Sequence, residues 1–330
     1  MIRPSSLLAP IALTIAFFAG NASTASAASF KPCVVYTEAG KFDKSFNEMA
    51  YDGSQTFAQK TGVAVAEFEP GGEDAYPGAL QAAVTAGCTD VALIGFRFQT
   101  ALAAFAPQHT DVRFTLFDGV VPGANVASVL FAENEGSYLV GVAAALASKS
   151  GTVGFIGGMP AAVIERFEKG YAQGVKDTRH DATVLTGLVA ADPKGFSDPF
   201  AASEIAREML RHNADVLFPA AGVSGLGALD IGHAKGALGV GVDSNQNYLY
   251  PGRMLTSMVK RLDVAIDRAF EAGRTQTFKA GVSRLGLKEG GVDVVVDADN
   301  RAVWTPAIVD AVARARQAIV SGQVKVASPS

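Results

Sequence analysis

Side chains with binding chemistry concentrate in one stretch, Tyr36-Thr37-Glu38-Ala39-Gly40-Lys41-Phe42-Asp43-Lys44-Ser45-Phe46-Asn47-Glu48. It reads as a strand end, a glycine-bearing loop and a helix start. Ser45 and Glu48 have the S-x-x-E spacing of a capping box, which makes Ser45 the expected N-cap. Phe46 and Asn47 then fall in the first helical turn. An aromatic ring there can stack on a planar ligand, an interaction worth ~1–3 kcal/mol per ring. The competing reading makes Phe46 a staple that packs the loop. Further along, Asp243 ends the apolar run Gly239–Val242, so a strand would deliver its carboxylate to a sheet edge. An ionised carboxylate can accept two charge-assisted hydrogen bonds from a vicinal diol. A buried carboxylate requires a cationic partner, because an unpaired one is costly, and Lys260 can supply it. A structural hinge salt bridge between the two is the alternative.

Catalytic signatures are missing. No G-x-x-x-x-G-K-[ST] loop is present. Gly222-Val223-Ser224-Gly225-Leu226 misses G-x-S-x-G at its last position, where Leu226 stands. His109, His180, His212 and His233 show no metal-ligand spacing. Neither a metal nor a cofactor is expected.

These residues must be positioned by a regular scaffold. Apolar runs such as CVVY, VALIG and NVASVLF lack the alternation of a half-exposed sheet. They fit strands buried on both faces, as in a parallel sheet covered by helices. Strand-like runs (34–37, 63–68, 90–96, 113–118, 126–131) alternate with helical ones, and the rhythm restarts with a helix over 138–149 and a strand over 152–156. Two successive βαβ series imply an α/β protein of two doubly wound, parallel-sheet lobes. The strand near Ser128 runs straight into a helix near Glu133, which suits a hinge rather than a tether. In such sheets ligands sit outside the carboxyl ends of the strands, which here is the cleft between lobes.

The N-terminus carries Arg3, an apolar run from Leu7 to Gly20, and Ala25-Ser26-Ala27. That order reads as a secretory signal peptide over residues 1–27, cleaved near Ala27; an uncleaved anchor is the other reading. Cys33 lacks the context of a lipid-attachment site, so a soluble periplasmic protein is expected. About 300 residues remain, which suits two lobes. The formal net charge of −4 comes without a Lys/Arg run, so nucleic acid is not an expected partner. Two cysteines in an exported chain, Cys33 and Cys88, suggest a disulfide at the N-terminal sheet edge; two free buried thiols remain the alternative.

The segment Asp43-Lys44-Ser45-Phe46-Asn47 resembles the D-K-S-F-N signature of the basic membrane protein family, the PnrA-like binding proteins of ABC importers. Three further stretches resemble the family in order. They are Val153–Met159 with Glu165–Tyr171, then Ala220-Ala221-Gly222 with Gly225-Leu226-Gly227, then Gly241–Gln246 running to Leu255–Arg261. The resemblance spans nearly the whole mature chain. It implies a type I periplasmic-binding-protein fold, a purine nucleoside ligand and no catalysis. Residues 28–129 and 246–276 would form the N-terminal lobe, 130–245 and 277–330 the C-terminal lobe. Phe46 would stack on the base, and Asp243 and Lys260 would hold the ribose hydroxyls with the Gly222 backbone close by. Ser45 and Asn47 flank the stack. A monomer would pass its ligand to an ABC permease in the inner membrane.

The base end departs from the family pattern. Glu38 stands where the family has an Asp, in a loop one residue shorter, and Thr100 aligns with a second family acid. Phe96, Arg97 and Phe98 share this strand end, and Phe196 lies in a later loop; any of them could close over a ligand. Base identity is therefore left open, as is a non-nucleoside ring compound. A cleft hydrolase releasing a free base is the runner-up, with Glu38 and Asp43 as the only cleft acids besides Asp243. A sugar-sensing regulator would need a DNA-binding helix pair where the signal peptide stands.

Overall fold

The computed structural model describes Met1 and residues 29–329. The expected signal peptide lies outside the described residues. The elements in chain order are β1 (Pro32–Val35), α1 (Phe46–Thr61), β2 (Ala66–Phe68), α2 (Tyr76–Thr85), β3 (Asp90–Ile94), α3 (Gln99–Phe105), β4 (Arg113–Phe117) and β5 (Val126–Phe131). Then follow α4 (Glu133–Ala147), β6 (Thr152–Gly157), α5 (Ala162–Thr178), β7 (Thr183–Leu188), α6 (Pro199–Arg211), β8 (Val216–Ala220), α7 (Val223–Ala234) and β9 (Leu238–Asp243). The chain closes with β10 (Met254–Lys260), α8 (Leu262–Arg274), β11 (Gly281–Leu285), β12 (Val292–Val294) and α9 (Pro306–Val320).

Two six-stranded sheets result, ordered β11-β5-β4-β3-β1-β2 and β12-β10-β9-β8-β6-β7. All pairings are parallel except β10 with β12. Every residue of β1, β3, β8 and β10 is buried. That matches their unbroken apolar sequences, since helices cover both faces of each sheet.

The lobes trade segments differently from the expected 246–276 exchange. Met254–Lys260 pairs with β9 inside the second sheet, and Gly281–Leu285 pairs with β5 inside the first. Only α8 and β11 return to the first lobe, where α8 packs on α1. The reason is burial: residues 244–253 carry the chain back so that β10 runs parallel beside β9, where every residue of the strand is buried. The strand-to-helix join is as expected, with only Ala132 between β5 and α4. The three crossings are laced together. Ala132 N–H donates to the Leu285 carbonyl at 2.9 Å, and Arg261 N–H to that of Gly291 at 2.8 Å. Glu135 Oε2 accepts from Leu287 N–H at 2.8 Å.

Cys33 and Cys88 form a disulfide with Cα atoms 5.9 Å apart. It ties the start of β1 to the turn before β3, at the sheet edge opposite the cleft. Closing a loop with a sequence separation of 55 restricts the unfolded chain by about 4 kcal/mol in the chain-entropy account. The Cys33→Ala/Cys88→Ala variant should therefore lose up to about 4 kcal/mol in urea denaturation while ligand affinity is unchanged. An unshifted midpoint would remove the disulfide from the account of stability.

Candidate functional site

Loops at the carboxyl ends of both sheets enclose a cleft of about 890 Å³, its open mouth included. Its walls are aromatic and aliphatic, with Phe46 and Phe96 from the first lobe and Phe167 and Phe196 from the second. Phe196 is seated by glycines. A Cβ on Gly158 would meet the Phe196 ring at 2.4 Å. Gly222 takes φ +54°, and a Cβ there would stand 3.3 Å from the Phe196 carbonyl oxygen. Only glycine combines that backbone with that proximity.

The loop before α1 is built by Asp43 rather than by the expected capping box. The Asp43 carboxylate accepts from the amides of Ser45 (2.8 Å), Asn47 (3.0 Å) and Glu48 (3.1 Å), and from Asn47 Nδ2 (3.1 Å). Ser45 holds the N-cap position, but its side chain makes no cap bond. Its hydroxyl turns to the other lobe instead, donating to Asp243 Oδ2 at 2.9 Å and the Val242 carbonyl at 3.3 Å. Glu48 accepts from Lys44 N–H at 3.0 Å. The Lys44 carbonyl in turn accepts from Ser244 Oγ and Gln246 Nε2, each at 2.7 Å. One short loop thus laces the two lobes. It also sets Phe46 and Asn47 in the cleft lining, with Asn47 held by donating to Thr37 Oγ1 at 2.7 Å.

At one end of the cleft charged side chains are packed with little exposure. Lys260 is 1% exposed. Its Nζ pairs with Asp118 Oδ2 at 2.5 Å and Glu133 Oε1 at 2.9 Å. Glu133 is also bound by Arg166 Nε at 2.5 Å. The expected direct Asp243–Lys260 pair is replaced, because Asp118 at the end of β4 and Glu133 in the first turn of α4 take the ammonium first. Lys260 also stands 4.9 Å from the Phe46 ring centre, a cation–π distance. Asp243 lines the cleft beside Lys260. Burial pushes its carboxyl up to about 7, against the pull of Lys260 and the Ser45 bond. Burial outweighs because the ammonium is already shared by two nearer carboxylates. Glu133 is held below the ordinary carboxylate range, since the fields of Lys260 and Arg166 overcome its desolvation. Asp118 and Asp243 both take left-handed backbone, with φ 66° and 64°, which aspartate tolerates better than most residues. Asp118 Oδ1 is buried without a hydrogen-bond partner and belongs to the cleft lining. It is an acceptor ready for a ligand donor.

At the other end Glu38 accepts from the Tyr76 hydroxyl at 2.7 Å and pairs with Arg97. Those bonds outweigh its burial and keep its carboxyl low. Phe98 faces away, fully buried and stacked on Tyr76 with ring centres 3.9 Å apart. Thr100 is not brought in: it stands exposed on α3, outside the lining. The 3-10 turn over Phe96–Phe98 precedes α3 and turns Phe96 and Arg97, rather than Thr100, toward the cleft. Among the described residues no group of three or more His, Cys, Asp or Glu is placed to hold a metal ion. Nor is any helix there long and apolar enough to cross a membrane.

Known proteins resemble this one in architecture and in sequence. The family model for PnrA-like ABC transporter substrate-binding proteins matches residues 30–329. The ABC transporter nucleoside-binding protein BmpA of Lactococcus lactis subsp. cremoris is 32% identical, covering 90% of this chain and 89% of its own. Basic membrane protein A of Borreliella burgdorferi is 30% identical over 77% of this chain and 76% of its own. A solute-binding protein of an ABC transporter system from Aeropyrum pernix K1 superposes with TM-score 0.82 at 26% identity, covering 91% of this chain and 94% of that one.

Proposed function

Because the chain belongs to the PnrA-like family of ABC transporter substrate-binding proteins, we propose that it captures a purine nucleoside in the interlobe cleft and delivers it to a membrane permease. One observation carries this reading. Aromatic rings from opposite lobes, Phe46 and Phe196, line the same narrow space as the acids Asp243 and Asp118. A flat base between the rings gains ~1–3 kcal/mol per stacked face. The ribose hydroxyls then reach the acids, where charge-assisted bonds are about twice as strong as neutral ones. Closure removes water and strengthens each polar contact, and the closed form is what a permease would recognise. The chain would act as a monomer in the periplasm after removal of the export signal.

The geometry disfavours the hydrolase reading. Asp43 is occupied by three backbone amides and Asn47. Glu38 is tied to Tyr76 and Arg97. The four lone-pair sites of Asp43 are thus filled, and the low carboxyl of Glu38 makes it too weak a base to deprotonate water.

A thermal-shift series with inosine, guanosine and adenosine, against ribose and free bases, tests the proposal. A nucleoside at a hundredfold excess over its Kd should stabilise the protein by about 2.7 kcal/mol, with no free base released. Stabilisation by ribose alone, or by none of the nucleosides, would overturn it. Accumulating free base would revive the enzyme.

A further inference from the structure

The end of the cleft away from Asp243 is built from the strand ends of β1 and β3, second and third from the β2 edge of the first sheet. Arg97 lines it with a side chain only 12% exposed. The guanidinium is held from several sides. Nε and Nη2 donate to Glu73 Oε2 at 3.2 and 2.7 Å, and Nη1 pairs with Glu38. It lies 5.8 Å from the centre of the Tyr76 ring, which is itself stacked on buried Phe98. A guanidinium has five N–H donors. Three are engaged among the described residues, leaving one on each Nη.

We propose that Arg97 selects the ring of the ligand: it donates to a ring carbonyl while Glu38 accepts the adjoining lactam N–H, so oxopurine nucleosides are preferred over aminopurine ones. This rests on the nucleoside reading of the cleft and deepens it. With the sugar at Asp243 and the base between Phe46 and Phe196, the base edge faces Arg97. A carbonyl oxygen has two lone pairs and can satisfy both remaining N–H groups. An aminopurine offers a ring nitrogen with one lone pair, leaving a desolvated N–H unmet, which is expensive. A site built around hydrogen bonds rejects an analogue that leaves its polar groups unpaired. Glu38 is held ionised by Tyr76 and Arg97, so it remains an acceptor for the lactam proton.

Titration calorimetry with inosine and adenosine tests the assignment. The unaltered protein should bind inosine at least about tenfold tighter than adenosine. Arg97→Gln should weaken inosine at least about tenfold and adenosine less than about threefold, closing the gap. Equal or tighter adenosine binding by the unaltered protein overturns the assignment, as does a preference that survives in Arg97→Gln. In either case the nucleoside reading stands, whereas binding of neither nucleoside overturns both. Should Arg97→Gln lack a cooperative melt, Glu38→Gln, which preserves shape, takes its place. It should narrow the inosine preference at least about threefold, and an unchanged preference overturns the proposal.

Discussion

Asp243→Asn should weaken nucleoside binding by at least about tenfold while the protein still folds. The exchange keeps the side-chain shape and a residue that accepts the left-handed backbone at φ 64°, as alanine does less well. It removes the ionised acceptor. Charge-assisted bonds contribute ~1.5–3 kcal/mol, and each 1.4 kcal/mol is about tenfold in Kd. Acidity adds a second signature. The carboxyl is raised from 3.8 to about 7, chiefly by burial. A group raised in this way stabilises the fold below its ordinary value and loses that contribution as pH rises through about 7. Diol hydroxyls bind the ionised form, so binding expels the proton. Affinity should then fall by up to about tenfold per pH unit below 7 and level off above it. The Asn variant should lose that slope. Calorimetry across pH 5.5–8.5 reads both effects, and an Asn variant with native affinity would remove Asp243 from the sugar contacts.

Lys260→Met carries the largest expected cost in stability. The ammonium is the shared partner of Asp118 and Glu133, with all three side chains at most 5% exposed. Removing it leaves Asp118 without a cation, and breaking a buried pair from one side costs ~3–5 kcal/mol. In a protein of this size that lowers Tm by on the order of 10 °C. Adding Asp118→Asn should restore part of the loss, because the stranded charge goes with it. Calorimetric melting of the ligand-free variants separates the outcomes. A Tm within about 2 °C of the parent would mean that water reaches the cluster.

What could be read from sequence followed local pattern. The buried strands were legible as apolar runs, and Asp243 as the acid that ends one of them. Asp118 closes the strand-like run 113–118 in the same way, but nothing in its neighbours marks it as a binding group. Glu133 and Arg166 are hidden in the sequence for a deeper reason. Each looks like an ordinary helical charge, and their pairing joins residues 33 apart in sequence. The capping box failed similarly, because the serine hydroxyl had a better acceptor 198 residues away. The return of residues 281–285 to the first lobe is hidden in sequence because β11 is an edge strand with mostly exposed residues. It carries no apolar run to announce it.

All three chain crossings lie beside β5, β10 and β11, along one margin of the paired sheets. Any jaw-like parting must therefore swing about that margin, and displacement grows with the lever arm from it. Asp118 and Lys260 sit near the pivot and would scarcely move. Glu38 and Arg97 ride farther out. On the nucleoside reading proposed above, an arriving molecule would find the berth for its sugar almost ready-made and would meet Glu38 and Arg97 last, so that a poorly matched base is turned away only in the final degrees of rotation.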